Sequence, residues 1–196
     1  MISLANGTPP DIVKYLTELS GGYKRWIGDQ RADIAGLQDD LQETAEEHML
    51  SCEEAASRIE QGVGLLARDA TAMKAFQLAN LAMLNQRART EWLKLDDKAN
   101  RPLDIDNRHT WRPFQIAFVL TCLEGIVDPN SENRRLVDLL WFPTGGGKTE
   151  AYLGLSIFAL GFRRLSQDEN YENDGGVTVL SRYTLRLLTI QQFNRA

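Results

Sequence analysis

One short stretch constrains this chain more than any other: Phe142-Pro-Thr-Gly-Gly-Gly-Lys-Thr149. A strand-length apolar run, Leu136 to Phe142, precedes it and carries a single charge at Asp138. Helical periodicity from Glu150 to Leu165 follows it. Three adjacent glycines at such a junction let the backbone turn tightly and present consecutive N–H groups to an anion. The helix that begins there adds its positive end. Lys148 is long enough to reach the β- and γ-phosphates, and the Thr149 hydroxyl is suited to Mg²⁺. The expected nucleotide-binding residues are therefore Thr144, Gly145, Gly146, Gly147, Lys148 and Thr149, with ATP and Mg²⁺ as cofactors. The strict pattern G-x-x-x-x-G-K-[ST] fails at its first position, which is Phe142. The competing reading is a glycine-rich turn that binds nothing.

Around this motif the chain reads as two unlike parts. Residues 9 to about 98 show helical spacing throughout. Thr8 is placed to cap a first helix that Gly21-Gly22 would end. A second helix would carry Tyr23, Trp26, Ile27, Ile34 and Leu37 toward Leu41 and Met49. A third would run near Glu53 to Ala67, and a fourth from about Thr71 to Leu95. Residues 99–110 are polar, contain a proline and read as a linker. Beyond it, Phe114 to Val127 is apolar nearly all round and predicts a buried helix. Val177 to Leu180 predicts a second strand, after a polar loop over Gln167 to Gly176, and Thr184 to Phe193 a further helix. Strand, helix, strand, helix is the opening of a parallel α/β sheet. The expected fold is thus an α/β P-loop NTPase with a partial parallel sheet over 111–196, preceded by an all-α region over 1–98.

Composition narrows the classes. No apolar run approaches the ~18 residues that span a bilayer, and the Met1 end lacks a basic region followed by an apolar stretch. Cys52 and Cys122 have no second Cys or His at ligand spacing, so neither a disulfide framework nor a zinc site is expected, and a reducing cytoplasm fits. A net charge of −5 excludes a uniformly basic nucleic-acid coat but not a local basic groove. Ten acids stand between Asp29 and Glu60 against Arg31 and Arg58 alone, whereas from Lys74 to Arg112 eight bases face five acids. The acidic run reads as a solvated helix face, with a docking face for a partner as the alternative. His48 and His109 read as a helix-face and a loop histidine without catalytic roles.

Two flanking features resemble elements of superfamily 2 helicases. Pro-Thr-Gly ahead of x-Gly-Lys-Thr is similar to the helicase form of the phosphate loop. Trp111-Arg-Pro-Phe-Gln115 resembles the element in which a glutamine amide reads the adenine edge, a task suited to a group that donates and accepts together. Downstream, Arg182-Tyr-Thr-Leu-Arg-Leu-Leu-Thr-Ile-Gln-Gln192 resembles the segment that holds one nucleic-acid strand, although Tyr183 replaces a proline and Gln191 falls one residue late. Thr184 takes the phosphate-contacting place there. Arg182 and Arg186 would add contacts that give affinity without reading sequence.

Four longer strings carry a more specific resemblance. They are Ala75 to Met83, Trp111 to Gln115, Val137 to Gly154, and Gly176 to Leu180 continuing through Arg182 to Phe193. Together they resemble the DrmA-type helicases of bacterial DISARM antiphage systems, well over about residues 70–196 and loosely before that. The resemblance implies an ATP-dependent DNA helicase or translocase, invading DNA as its target and a DrmB-like partner subunit. It also implies later motor elements that this sequence does not contain. No Asp-Glu-x-[His/Asp] string follows Lys148. No catalytic residue is therefore expected within these 196 residues, which read as the N-terminal part of a longer motor, truncated inside a RecA-like domain and unable to hydrolyse ATP alone. The alternative is a helical protein-docking module whose nucleotide-binding half is vestigial.

Overall fold

The computed structural model describes residues 1–96, 102–105, 109–143, 145–166 and 176–182. Among these residues six α-helices follow one another: α1 (Ile2–Asn6), α2 (Pro9–Ile34), α3 (Asp39–Arg68), α4 (Ala70–Trp92), α5 (Pro113–Val127) and α6 (Lys148–Leu165). A short 3₁₀ turn over Glu132–Arg135 lies between α5 and α6.

Local chemistry explains most of the boundaries. The Thr8 hydroxyl accepts the Asp11 N–H and Pro9 opens α2, as the sequence predicted. The predicted break at Gly21-Gly22 does not occur. A glycine ends a helix by taking a left-handed φ, and neither of these glycines does so. Each costs the helix ~1 kcal/mol relative to alanine. The buried row Ile12, Leu16, Ile27 and Ile34 crosses the pair and keeps α2 on its neighbours. The break falls at 35–38 instead. From there α3 runs unbroken, with Asp39 and Asp40 at its positive end and Arg68 at its negative end. The Asp69 carboxylate accepts the Ala72 N–H and starts α4.

One buried cluster joins all six helices. Leu4, Ile12, Leu16, Val63, Leu66, Phe76, Ala79, Leu120, Leu123 and Phe158 belong to it. α2 packs on α3, α3 on α5, α5 on α6, and α4 on both α6 and α1. The approach of α3 to α5 requires Gly62, where a Cβ would lie 2.1 Å from the Leu120 carbonyl oxygen.

The expected α/β sheet is not there. Among the described residues there is no strand, and the regular structure is entirely helical. Residues 136–143 and 176–182 run without helical structure but pair with no neighbouring chain. An apolar run marks a segment as a candidate strand. It becomes one only when another segment takes up its N–H and C=O groups. The alternation survives without the pairing: Val137, Leu139 and Trp141 are 96%, 85% and 84% exposed, while Asp138 and Leu140 between them are half-buried. The region preceding the glycine turn is therefore an extended stem laid against helices. The predicted helix over Thr184 to Phe193 lies outside the described residues, as does most of the Gln167 to Gly176 loop.

Candidate functional site

The glycine turn sits between that stem and the first residue of α6. Gly145 and Gly147 hold left-handed φ values of +80° and +93°, a conformation that L side chains rarely adopt. The Gly146 N–H donates to the Pro143 carbonyl at 3.1 Å and closes the turn. Gly146 is required for a different reason. A Cβ there would lie 2.3 Å from the Phe142 ring. That ring in turn stacks on Phe114 of α5, with centroids 4.0 Å apart and planes 13° apart. The departure from the strict pattern at Phe142 thus has a structural cause: the aromatic ring is the wall against which the turn is built.

Gly147 caps α6 without a side-chain acceptor. The first N–H groups of the helix accordingly have no intrahelical partner and form the positive end of an 18-residue helix. Lys148 is its first residue, and its ammonium donates back to the Phe142 carbonyl. Thr149 follows, half-buried. Left-handed glycines, a helix N-terminus and one lysine converge within five residues, an arrangement chemically suited to an anion. A cleft of about 450 Å³ opens beside the turn, with Arg87, His109, Arg112, Gln115, Gly145 and Gly147 among its walls. Thr144 lies outside the described residues.

Gln115 is placed behind the turn. It is only 5% exposed, and both ends of its amide are engaged. Its Oε1 accepts the Arg112 N–H at 2.8 Å, and its Nε2 donates to the Gly147 carbonyl at 2.7 Å. A Cβ on Gly147 would lie 2.5 Å from that nitrogen. Arg112, for which the sequence motif suggests no role, donates from Nη1 to the Gly146 carbonyl at 2.8 Å. The segment is pegged by its neighbour: the Trp111 indole N–H donates to Asn80 Oδ1 at 2.7 Å, and the Asn80 amide donates to the Phe76 carbonyl within α4.

The stem has its own anchor. Arg58 of α3 grips Asp138 through both carboxylate oxygens, at 2.6 and 2.9 Å, and also donates to the Thr121 carbonyl. The Arg58 guanidinium holds the Asp138 carboxyl below the usual carboxylate range. Cys122 contacts the same carboxylate at 3.5 Å, and burial followed by the Asp138 charge pushes its thiol up to about 12. The signals for this anchor were in the sequence: a lone acid in an apolar run and an isolated arginine in an acidic helix. Their separation of eighty positions in the chain hid the pairing.

Of the expected strand-contacting residues, Arg182 is exposed at the end of the segment 176–182, and Arg163 of α6 donates to Thr178 of the same segment at 2.8 Å. Thr184 and Arg186 lie outside the described residues. Among the described residues no group of His, Cys, Asp and Glu could hold a metal ion directly. No described helix is long and apolar enough to cross a membrane.

The described geometry is a left-handed glycine turn at a helix N-terminus, supported from behind by side chains of the preceding element. No family model matches the chain. It is similar to DISARM protein DrmA of Bacillus paralicheniformis, with 43% identity over 190 residues. The match takes in 94% of this chain and 17% of the relative, so the chain spans about a sixth of the length of the curated relative it matches. It extends well into the acidic N-terminal helices, beyond residues 70–196 on which the sequence resemblance chiefly rested.

Proposed function

We propose that this chain is the nucleotide-phosphate-binding part of a DISARM phage-defence component, one that acts as an ATP-dependent DNA helicase or translocase. The observation that carries the reading is the left-handed Gly145 and Gly147 pair capping α6 with Lys148 as its first residue. Similarity to DrmA supports the phage-defence context. The residues present fit ATP and Mg²⁺. The left-handed turn at Gly145 and Gly147, leading into the α6 N-terminus and Lys148, is suited to the phosphates. Thr149 would offer its hydroxyl to Mg²⁺, which neutralises phosphate charge when bound. Lys148 would exchange the Phe142 carbonyl for phosphate oxygens, and the helix N–H groups would hold them without reorganising.

DNA would run along the surface that Arg182 begins, its backbone met by cations rather than its bases read. A DrmB-like subunit is the protein partner this reading assigns. Because no Asp-Glu-x-[His/Asp] string follows Lys148 in the sequence, this reading has the chain bind nucleotide without turning it over. Phosphate release from MgATP, with and without duplex or single-stranded DNA, tests this. The expected result is no steady release in either case. Sustained turnover that Lys148→Ala abolishes would show that hydrolytic residues lie within this chain. DNA binding that Arg182→Ala leaves unchanged would remove Arg182 from the proposed strand path.

A further inference from the structure

The structure assigns Arg112 and Gln115 a positioning role: they clamp the glycine turn from behind by its carbonyl oxygens and thereby set the affinity for phosphate itself. This rests on the phosphate-binding reading above and deepens it.

In a trans peptide the C=O and the following N–H lie in one plane and point in opposite directions. Holding the carbonyls of Gly146 and Gly147 on the protein side therefore fixes the direction of the following N–H groups, those of Gly147 and Lys148, on the other. Arg112 Nη1 takes the first carbonyl at 2.8 Å and Gln115 Nε2 takes the second at 2.7 Å. Glycines need such a restraint more than other residues, because they lose the most conformational freedom on ordering. Gly145 and Gly147 are held in left-handed φ by their surroundings and not by side chains of their own.

The clamp is rigid because its base is. Gln115 is buried in the first turn of α5, with its Oε1 fixed on the Arg112 N–H. Trp111 is pinned to Asn80 of α4, and its ring lies against Gly154 of α6, where a Cβ would come within 2.8 Å of it. The helices before residue 98 thus reach the phosphate cradle through Asn80, Trp111, Arg112 and Gln115 in turn. An amide with both ends engaged inside the protein acts on the loop, so its loss is felt by any ligand with a phosphate chain, whatever base is attached.

The experiment is equilibrium binding of MgATP, MgGTP and inorganic tripolyphosphate to wild type, Gln115→Met, Arg112→Ala, Arg112→Lys and Lys148→Ala. Thermal unfolding of each variant is measured alongside. Gln115→Met keeps the side-chain volume and removes the donor, and Arg112→Lys restores a cation with donors. The clamp predicts that Gln115→Met and Arg112→Ala weaken all three ligands by the same factor, ~5–10-fold, as expected for losing one supporting hydrogen bond. Arg112→Lys recovers part of the loss. Weakening of MgATP alone in Gln115→Met would overturn the clamp and make Gln115 a base reader. Unchanged affinity for all three in both variants would overturn it too. If wild type binds none of the three, or binds them as Lys148→Ala does, the phosphate reading itself fails, a result distinct from failure of the clamp.

Discussion

Breaking the Arg58–Asp138 pair isolates what the helical region contributes to the stem of the glycine turn. Arg58 donates to both Asp138 oxygens and to the Thr121 carbonyl, and the two side chains are 12% and 24% exposed. Exposed pairs are worth ~0–1 kcal/mol, whereas breaking a fully buried one costs ~3–5 kcal/mol. This bidentate but partly solvated pair lies between those limits, at about 2 kcal/mol for Arg58→Ala at pH 7. In a chain of this size that lowers Tm by ~4–8 °C. The Asp138 carboxyl titrates below its ordinary value, chiefly because Arg58 hydrogen-bonds to its charged form. A depressed carboxyl contributes stability that is fully present above the unfolded value of ~3.9 and is lost as pH falls through the folded one. Wild type should therefore lose more stability than Arg58→Ala between pH 5 and pH 3. Urea unfolding at both pH values, on a double-mutant cycle of Arg58→Ala and Asp138→Ala, gives the coupling directly. A coupling of ~1–2 kcal/mol at pH 7 that shrinks by pH 3 is expected. Strictly additive single substitutions at pH 7 would refute the pairing as a structural anchor.

Three further outcomes follow from particular contacts. Gly62→Ala places a Cβ 2.1 Å from the Leu120 carbonyl, so separating α3 from α5 should cost ~3 kcal/mol or more despite alanine's better helix propensity, read as a fall in the urea midpoint. Asn80→Leu leaves the Trp111 indole N–H without its acceptor; a loss of ~2 kcal/mol in unfolding free energy is expected, together with weaker tripolyphosphate binding. Cys122, with its thiol pushed up to about 12 chiefly by burial, should react with iodoacetamide at pH 8 at least ~10-fold more slowly in the folded protein than in urea, since only the thiolate attacks. Equal rates would mean that the α5 face against Asp138 is open.

The helices were legible where a cap or a one-sided apolar row marked them. Thr8 starting α2, the apolar run of α5 and the periodicity of α6 all stand as read. Gly21-Gly22 misled because two glycines weaken a helix without ending it when the buried row continues past them. The sheet misled for a reason of another kind. Apolar runs over 136–142 and 177–180 report extended backbone, whereas strand pairing depends on a neighbour that no local pattern specifies. The glycine turn was legible because its chemistry lies within a few residues. Its supports were not, since Trp111 meets Asn80 across thirty-one residues and Arg58 meets Asp138 across eighty.

In this reading the turn from Gly145 to Thr149 binds the phosphates of a nucleotide. Calorimetric titration of MgATP into wild type and Lys148→Ala, at fixed salt, tests it most directly. Saturable single-site binding is expected for wild type, weakened ~10–100-fold in Lys148→Ala, as expected for losing a charged hydrogen bond to phosphate. The exposed Lys148 ammonium rests on a backbone carbonyl, so the two proteins should melt within about a degree of each other. Equal affinity in the two, or no binding to either, would contradict the claim.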